Sequence, residues 1–301
     1  MVSFFYVVNT IFLSILLQAL PFMLIGAMIS SMLHVFISDQ FVVKIFPEKN
    51  GVGFLTAIAG GLIFPVCECA SVPVITGLMK KGVAMPVAVT FMLAAPIVNP
   101  ISIMSTLYAF PDNPLIALYR VLFGIITSAG IGFLLLCYPK TKYLKDTDDF
   151  DVKTCTDGME IYLNFSYKIE KMFLHTNKEF FTAGKYLILG AFITALIRTL
   201  VPADFFAMFN KTHSHTGILI MMLFSFLFSA CSTSDAFIAR SFYGAFSLTS
   251  IMGFLVYGPM MDIKNIFMLL SFFKKRFVFE LVIIITVINI IFISAMGFIF
   301  L

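Results

Sequence analysis

Two cysteines flank a single glutamate inside an apolar stretch of the chain. Cys67, Glu68 and Cys69 lie between Pro65 and Pro73. Residues two apart point to the same side of an extended backbone, whereas on an α-helix they face nearly opposite directions. Each proline removes a backbone donor and disfavours helix for the residue before it, so we expect this segment to be unwound. The two thiols are then predicted to converge on one ligand.

Thiols in such a position favour one class of ligand. Thiolates bind soft ions such as monovalent copper, zinc or trivalent arsenic. A third cysteine, Cys231, lies in a similar apolar setting in the second half of the chain. Cys67, Cys69 and Cys231 are therefore candidate ligands for a soft metal or metalloid. The alternative is that these cysteines only pack.

The sequence around these cysteines has a counterpart later in the chain. Corresponding residues are separated by nearly the same number of positions in three pairs: Cys69 and Cys231, Pro96 and Pro259, and Asn99 and Asp262. In both halves, prolines and polar residues interrupt apolar sequence. This pattern is typical of transporters in which broken membrane helices from two repeats meet at a binding site near the midplane.

The composition is that of an integral membrane protein. Of 301 residues, 60% are hydrophobic and only 12% are charged, against roughly 25% charge in soluble domains. Mean hydropathy is +1.01. The net charge of +4 comes without a basic, aromatic-rich patch, which argues against a nucleic-acid partner. We expect a multi-pass protein of the cell membrane, with the lipid bilayer as its surroundings.

The apolar sequence divides into two kinds of stretch. Uninterrupted runs long enough to cross about 30 Å of hydrocarbon lie at 4–37, 115–138, 180–200 and 277–301. Runs with a polar or proline-marked break near the middle lie at 52–79, 84–110, 216–241 and 242–272. The prolines expected at these breaks are Pro65, Pro73, Pro96, Pro100 and Pro259.

The span count depends on how the broken stretches cross. If each crosses once, each half has four spans, the total is about eight, and the repeats are parallel. If the parts after the breaks form short re-entrant hairpins, the total is ten and the repeats are inverted. Either way, the predicted fold is an all-α membrane protein built from two structurally repeated halves, with broken helices at the midplane.

The stretch between the halves is more polar than either half. We expect a first membrane repeat at 1–138, a polar linker at 139–179 and a second membrane repeat at 180–301. Within the linker, apolar residues between Met159 and Phe173 recur at helical spacing with charges between them. This spacing predicts either an interfacial amphipathic helix or a helix packed against the spans.

Serines follow two of the breaks. Ser71 stands just before Val72 and Pro73, and Ser232 precedes Asp235 by three residues, so both serines resemble helix N-caps. Half-helices are expected to begin there. Their unpaired N–H groups and partial positive charge would favour a thiolate or a bound anion.

Carboxylates within the apolar sequence are costly. Burying one near the bilayer centre costs about 2.5 to 3.5 kcal/mol, so Glu68, Asp235 and Asp262 are expected to face a cavity or a partner and to bind and release protons. Alternatively, Asp235 only caps a helix and Asp262 lies at a membrane edge beside Lys264. The candidate substrate-binding residues are Cys67, Glu68, Cys69, Asn99, Cys231, Ser232, Asp235 and Asp262.

Motifs for other mechanisms are missing from the sequence. It contains no G-x-x-x-x-G-K-[ST] phosphate-binding loop, haem-attachment motif or H-E-x-x-H zinc motif. We therefore expect neither a cofactor nor an enzyme activity. A membrane thiol oxidoreductase that uses Cys67 and Cys69 remains an alternative, although no quinone or flavin signature supports it.

Five segments taken in order resemble the predicted-permease family related to organoarsenical efflux permeases. They are 65–73, the turn at 80–82, 91–100, 231–240 and 258–264. The resemblance covers residues 4–300, is weak only in the linker, and implies an integral membrane permease with about eight spans. The arsenical exporters are one branch, and the Cys-Glu-Cys form here is similar to a branch of unassigned permeases, so the resemblance leaves the substrate open.

Residues and resemblance together predict a membrane permease for a small-molecule or ion substrate. In the first interpretation it is a secondary transporter that exports a soft metal or metalloid species through a thiol- and carboxylate-bearing site between the repeats. In the second it carries an unrelated small solute or anion, and the cysteines only pack. A homo-oligomer or an accessory membrane protein is compatible with both.

Overall fold

The computed structural model describes residues 2–47, 51–63, 66–137, 143–144, 165–200 and 214–300. Within these ranges the chain is helical and has no β-strand, which confirms the all-α prediction. The helices of the first half are α1 (Val2–Phe36), α2 (Asp39–Ile45), α3 (Val52–Ile63), α4 (Glu68–Lys80), α5 (Met85–Val98), α6 (Pro100–Ala109) and α7 (Leu115–Leu136). Those of the second half are α8 (Phe165–Leu200), α9 (Ser214–Phe228), α10 (Asp235–Ser241), α11 (Leu248–Met260), α12 (Ile263–Phe272) and α13 (Lys275–Phe300).

Several helical segments can cross a membrane. Five described segments are long and apolar enough: Phe4–Phe36, Met85–Ala109, Leu115–Leu136, Tyr167–Leu200 and Lys275–Ala295. Four of them overlap most of the uninterrupted runs seen in the sequence, and Met85–Ala109 contains α5 and α6. Helices α3 and α9 are apolar but shorter. The prediction of a multi-pass membrane protein is confirmed.

Burial separates the central helices from the outer ones. Every residue of α5 is buried, and so is every residue of α11 after its first. Helices that are apolar all round must be covered on all sides, and α5 and α11 pack against each other. The outer helices instead expose large apolar side chains, which suits contact with lipid. Examples are Leu17, Phe133, Phe181 and Phe279.

Two of the predicted breaks separate consecutive helices of the same stretch. Asn99 lies between α5 and α6, and its side-chain oxygen accepts a hydrogen bond from the Ile101 N–H at 3.0 Å. Asp262 lies between α11 and α12, and its Oδ1 accepts one from the Asn265 N–H at 2.6 Å. Both side chains therefore cap the helix that follows. Pro96 and Pro259 lie near the ends of α5 and α11, and Pro100 opens α6.

The break before α4 is shorter than predicted. Cys67 is the N-cap, with an extended backbone at φ −81° and ψ 171°, and the helix already begins at Glu68. The expected N-cap at Ser71 is wrong, and so is an unwound backbone as far as Pro73, because Pro73 lies within α4. A proline inside a helix removes one hydrogen bond, and the packing of α4 against α1 and α5 holds the helix together. Pro65 lies outside the described residues.

The break between α9 and α10 covers residues 229–234. Helix α9 ends at Phe228, and Ser229 follows with a left-handed φ of 49°. The expected N-cap at Ser232 is wrong, because Ser234 precedes α10. The turn is closed instead by the Cys231 carbonyl, which accepts hydrogen bonds from the N–H groups of Ser234 and Asp235 at 2.8 and 2.9 Å.

The predicted boundary between the linker and the second half lies inside a helix. Helix α8 runs from Phe165 to Leu200, so one helix crosses the boundary expected between residues 179 and 180, and that boundary stays a prediction. No proline interrupts this stretch, and the helical spacing continues into the apolar span. Helix α8 packs along α1. The linker residues before 165, apart from 143 and 144, lie outside the described ranges.

Two pairs of helices begin at matching positions in the two halves. Helices α5 and α11 begin at residues 85 and 248, and α6 and α12 at residues 100 and 263, so the same offset separates both pairs. The halves also meet through matching helices. Helix α4 contacts α12, and α6 contacts α10. The four breaks therefore lie close to contacts between the halves.

A close approach between α3 and α5 provides a test of the packing. A Cβ atom at Gly61 would lie 2.7 Å from the Cα of Ala95, which is backbone and cannot turn aside. We expect Gly61→Ala to destabilise the protein by about 1–3 kcal/mol, measured as a lower midpoint of thermal unfolding in detergent. Gly184→Ala is the control, because its Cβ would meet only the end of the Met23 side chain at 3.5 Å. Equal midpoints for the two variants would contradict this packing.

Candidate functional site

A buried lysine joins carboxylates from both halves of the chain. The Lys264 ammonium lies 3.3 Å from Oδ2 of Asp262 and 3.8 Å from Oε1 of Glu68. The three side chains are at most 3% exposed. Charges buried this deeply are tolerated only when they are paired. The ion pairs therefore link the start of α4 to the start of α12.

Local structure explains how these groups come together. Asp262 caps α12, so its carboxylate is fixed at the break, and Lys264 follows in the first turn of the same helix. The backbone N–H of Lys264 also points to the hydroxyl of Ser229, at 3.5 Å. Glu68 is the first residue of α4 and lies at the break before that helix. Each carboxylate thus stands where a helix begins.

Two of the three candidate thiols lie near the same lysine. Cys67 lies within electrostatic range of the other two thiols, Cys69 and Cys231. Lys264 lies within electrostatic range of Cys69 and of Cys231. Cys69 is buried, whereas Cys67 and Cys231 are partly exposed, and all three are free thiols. That these thiols bind a substrate stays a prediction.

Arg120 forms a second connection between the halves. Its guanidinium group, 1% exposed on α7, donates hydrogen bonds to the Ser232 carbonyl at 2.9 Å and to the hydroxyl of Thr106 at 2.7 Å. The hydroxyl of Ser102 donates to the same Ser232 carbonyl at 3.1 Å. The break between α9 and α10 is thus held by two side chains of the first half.

Sequence patterns alone did not predict the roles of Arg120 and Lys264. A charged residue inside the apolar run 115–138 was the available signal for Arg120, because such residues in membrane helices are rare and face a partner. Lys264 was considered only as a neighbour of Asp262 at a membrane edge. Its burial at 3% exposure places it in the interior instead.

Three further candidate residues form no ion pair with Lys264. Asp235 is 1% exposed and close enough to Arg120 and Glu68 for electrostatic interaction, and its Oδ2 has no hydrogen-bond partner among the described residues. Asn99 is buried and caps α6. Ser232 contributes its carbonyl to Arg120 rather than a cap. The cluster therefore centres on Glu68, Asp262 and Lys264.

A small cavity opens beside the cluster. It has a volume of about 120 Å³ and lies between α1, α8, the break before α10 and the start of α12. Its polar lining consists of Gln18, Arg198, Ser229, Cys231, Ser234 and Lys264. The cavity is therefore basic on its walls and borders one of the three candidate thiols.

The cysteines do not form a ready-made metal site in this conformation. Among the described residues, no group of three or more His, Cys, Asp or Glu side chains is arranged to hold a metal ion. A metal bound by Cys67, Cys69 and Cys231 would require these side chains to move closer together. Their role as metal ligands stays a prediction.

The connection through Arg120 can be tested by removing it. Arg120→Met removes one of the two hydrogen bonds that the buried Ser232 carbonyl accepts, together with the bond to the Thr106 hydroxyl, and we expect a loss of about 1–3 kcal/mol of stability. Arg276→Met is the matched control, because Arg276 is 91% exposed and, among the described residues, pairs with Glu280 one turn away. The measurement is thermal unfolding in detergent. An unchanged midpoint for Arg120→Met would show that the guanidinium group does not hold the break.

Comparisons with known proteins agree with this membrane architecture. Residues 5–298 match the family described as "Predicted permease". UPF0718 protein YcgR of Bacillus subtilis is 39% identical over 286 residues, covering 95% of both chains. A Streptococcus mutans protein named "Putative two-component membrane permease complex subunit" is 36% identical over 273 residues, covering 90% of this chain and 89% of that protein.

A third relative is more distant, and solved structures add nothing. UPF0718 protein MJ0584 of Methanocaldococcus jannaschii is 22% identical over 113 residues, or 36% of this chain and 31% of that protein. No solved structure matches the chain.

The names of the family and of the Streptococcus relative favour a transporter over an enzyme. With the family match over nearly its whole length, the chain belongs to the predicted permease family and is a multi-pass protein of the cell membrane.

Proposed function

We propose that this permease is a secondary transporter that exports a soft metal or metalloid species. The observation that supports this most is that free thiols from both halves, Cys69 and Cys231, lie near a buried lysine that two carboxylates share. Cys67 and Cys69 belong to the first half and Cys231 to the second. Soft ions prefer thiolate ligands, and a site shared by two halves can open alternately to either side.

The energy source that fits is an ion gradient. The sequence has no phosphate-binding loop, whereas Glu68, Asp235 and Asp262 are buried carboxylates near the proposed path. A carboxylate that moves between dry and wet surroundings can take up and release a proton. We propose that these three groups couple export to proton entry.

A second candidate function has its own supporting observation. The cavity beside Cys231 is lined by two cationic side chains, Arg198 and Lys264, and by the hydroxyl groups of Ser229 and Ser234. Such a lining suits a small anion or polar solute. In this alternative the cysteines only pack, and their replacement by serine leaves transport intact.

We further propose that the two halves are parallel repeats with eight spans in all. The repeat is supported by the offset that α5 and α11 share with α6 and α12, and by the matching contacts of α4 with α12 and of α6 with α10. Each broken stretch then crosses once, as α3–α4, α5–α6, α9–α10 and α11–α12. The first repeat would comprise 1–138. The second would begin with α8 at 165 rather than at 180.

We propose that an accessory membrane protein completes the transporter. The support is the name of the Streptococcus relative, which describes a subunit of a two-component membrane permease complex. The chain itself exposes many apolar side chains on its outer helices. A homo-oligomer is the alternative assembly.

The proposed assembly can be tested by purification. We expect the tagged chain, extracted from its native membranes in mild detergent, to retain a second integral membrane protein in fixed ratio, identified by mass spectrometry. An unrelated tagged membrane protein purified in the same way is the control. Recovery of the chain alone or as multiples of itself would contradict the accessory subunit.

The proposed substrate class can be tested at the thiols. Replacing Cys67 and Cys69 by serine changes side-chain volume little but exchanges soft, ionisable sulfur for hard oxygen. We expect transport of trivalent arsenic, zinc or copper into everted membrane vesicles to fall by more than about tenfold in the double variant, because losing a residue that only orients a metal ligand already costs about 10–100-fold. Cys231→Ser should show the same defect.

The matched control for this test is Cys137→Ser. Cys137 is an exposed free thiol at the end of α7, away from the cluster. The Cys137→Ser variant should transport at the normal rate. All variants should reach the membrane in normal amounts. Normal transport by the Cys67→Ser, Cys69→Ser double variant would refute the thiol site and favour the anion permease.

A further inference from the structure

Glu68 and Asp262 together have the character of a cation site. Both carboxylates are at most 2% exposed, and neither oxygen of Glu68 nor Oδ2 of Asp262 accepts a hydrogen bond from the described residues. In the part of the chain that the structure describes, Lys264 is the only cation within ion-pair distance of either group. The ammonium group thus occupies a place that a free cation could take.

We propose that the chain's own Lys264 fills this site only until substrate arrives, and that the transported species is a soft metal cation which displaces the ammonium group. The proposal rests on the function proposed above and narrows it from a metal or metalloid to a cation. The cation would bind the carboxylates together with the neighbouring thiols, and each thiol that becomes a ligand would release its proton. Lys264 would keep its own proton and its charge.

The groups around Lys264 come from several elements. Asp262 caps its own helix, Glu68 and Cys69 belong to α4, Cys231 lies in the break before α10, and Asp235 belongs to α10. Arg198 of α8 borders the same cavity as Lys264, and Arg120 of α7 lies within electrostatic range of Glu68 and Asp235. Lys264 thus has both carboxylates and a second cation in its surroundings.

The neighbouring cavity gives the displaced side chain somewhere to go. Lys264 lines this 120 Å³ space together with the hydroxyl groups of Ser229 and Ser234 and the amide of Gln18, which can accept hydrogen bonds from an ammonium group. A lysine has a flexible four-carbon stem, so it can turn without moving its helix. Arg198 in the same cavity would repel it, which favours its return when substrate leaves.

Charge balance decides between classes of substrate. Displacing Lys264 leaves Glu68 and Asp262 without a cation, because Arg120 is tied to the Ser232 carbonyl and to Thr106. A metal cation restores the balance, whereas an uncharged metalloid hydroxide does not, and an anion would meet the two carboxylates. A ligand can shift such an equilibrium only by binding one state better than the other.

The test is metal binding by purified full-length protein in detergent, measured by titration calorimetry with Cd²⁺ as a thiophilic cation. We expect Lys264→Gln to bind Cd²⁺ about tenfold more tightly than the unmodified chain, because an internal competitor has been removed. Lys264→Arg should bind it more weakly, since a guanidinium group pairs more firmly with carboxylates. Glu68→Gln should also weaken binding.

Controls separate competition from a structural role. Lys81→Gln removes another buried lysine, which pairs with Asp39 at 2.7 Å far from the cluster, and should leave Cd²⁺ affinity unchanged. Arsenous acid, which is uncharged at neutral pH, should bind no more tightly to Lys264→Gln than to the unmodified chain. If Lys264→Gln does not fold, the weaker Cd²⁺ binding expected for Lys264→Arg still tests whether Lys264 competes with the cation.

Two results would overturn this inference and leave the proposal that the thiols bind substrate intact. One is Cd²⁺ affinity that is equal or lower in Lys264→Gln and unchanged in Lys264→Arg, which would make the lysine purely structural. The other is binding of arsenous acid but not of Cd²⁺, with both depending on Cys67 and Cys69. By contrast, normal transport after loss of those cysteines would remove the proposed function itself, and the cation site with it.

Discussion

The structure depends on the burial of one positive charge between two carboxylates. An ammonium group in a membrane interior is costly, and the cost is offset only by close partners of opposite charge. Lys264 has such partners in Asp262 at 3.3 Å and Glu68 at 3.8 Å. Because Glu68 precedes the rest of α4 and Asp262 caps α12, this requirement draws two helix starts from different halves of the chain to one point.

Broken helices follow from the same requirement. A continuous helix offers only side chains to its surroundings, whereas a break also offers backbone groups, which must then be satisfied inside the protein. Here the Ser232 carbonyl is satisfied by Arg120 and Ser102, and the Cys231 carbonyl by the N–H groups that open α10. The fully buried helices α5 and α11 exclude lipid from these groups. Ordered breaks, buried charges and a central helix pair therefore support one another.

Local patterns predicted much of this and failed where distant contacts decide. The long spans and the breaks at Asn99 and Asp262 follow from apolar length and proline position, so the sequence was sufficient to predict them. The N-caps at Ser71 and Ser232 were wrong because a serine near a proline or aspartate says nothing about which backbone groups another helix covers. Arg120 and Lys264 have partners more than a hundred residues away, and no local pattern encodes such pairs.

The two ion pairs of Lys264 respond differently to movement of one half of the protein against the other. The pair with Asp262 lies within one helix start, so any movement of the second half as a unit leaves it unchanged. The pair with Glu68 joins the halves, and any movement of one half against the other must lengthen or shorten it. At 3.8 Å it is also the weaker contact, since attraction falls with distance. A transporter whose halves move would therefore release Lys264 first from Glu68. In the sequence this carboxylate stands between the thiols of Cys67 and Cys69. Movement of the halves would then also expose the candidate site.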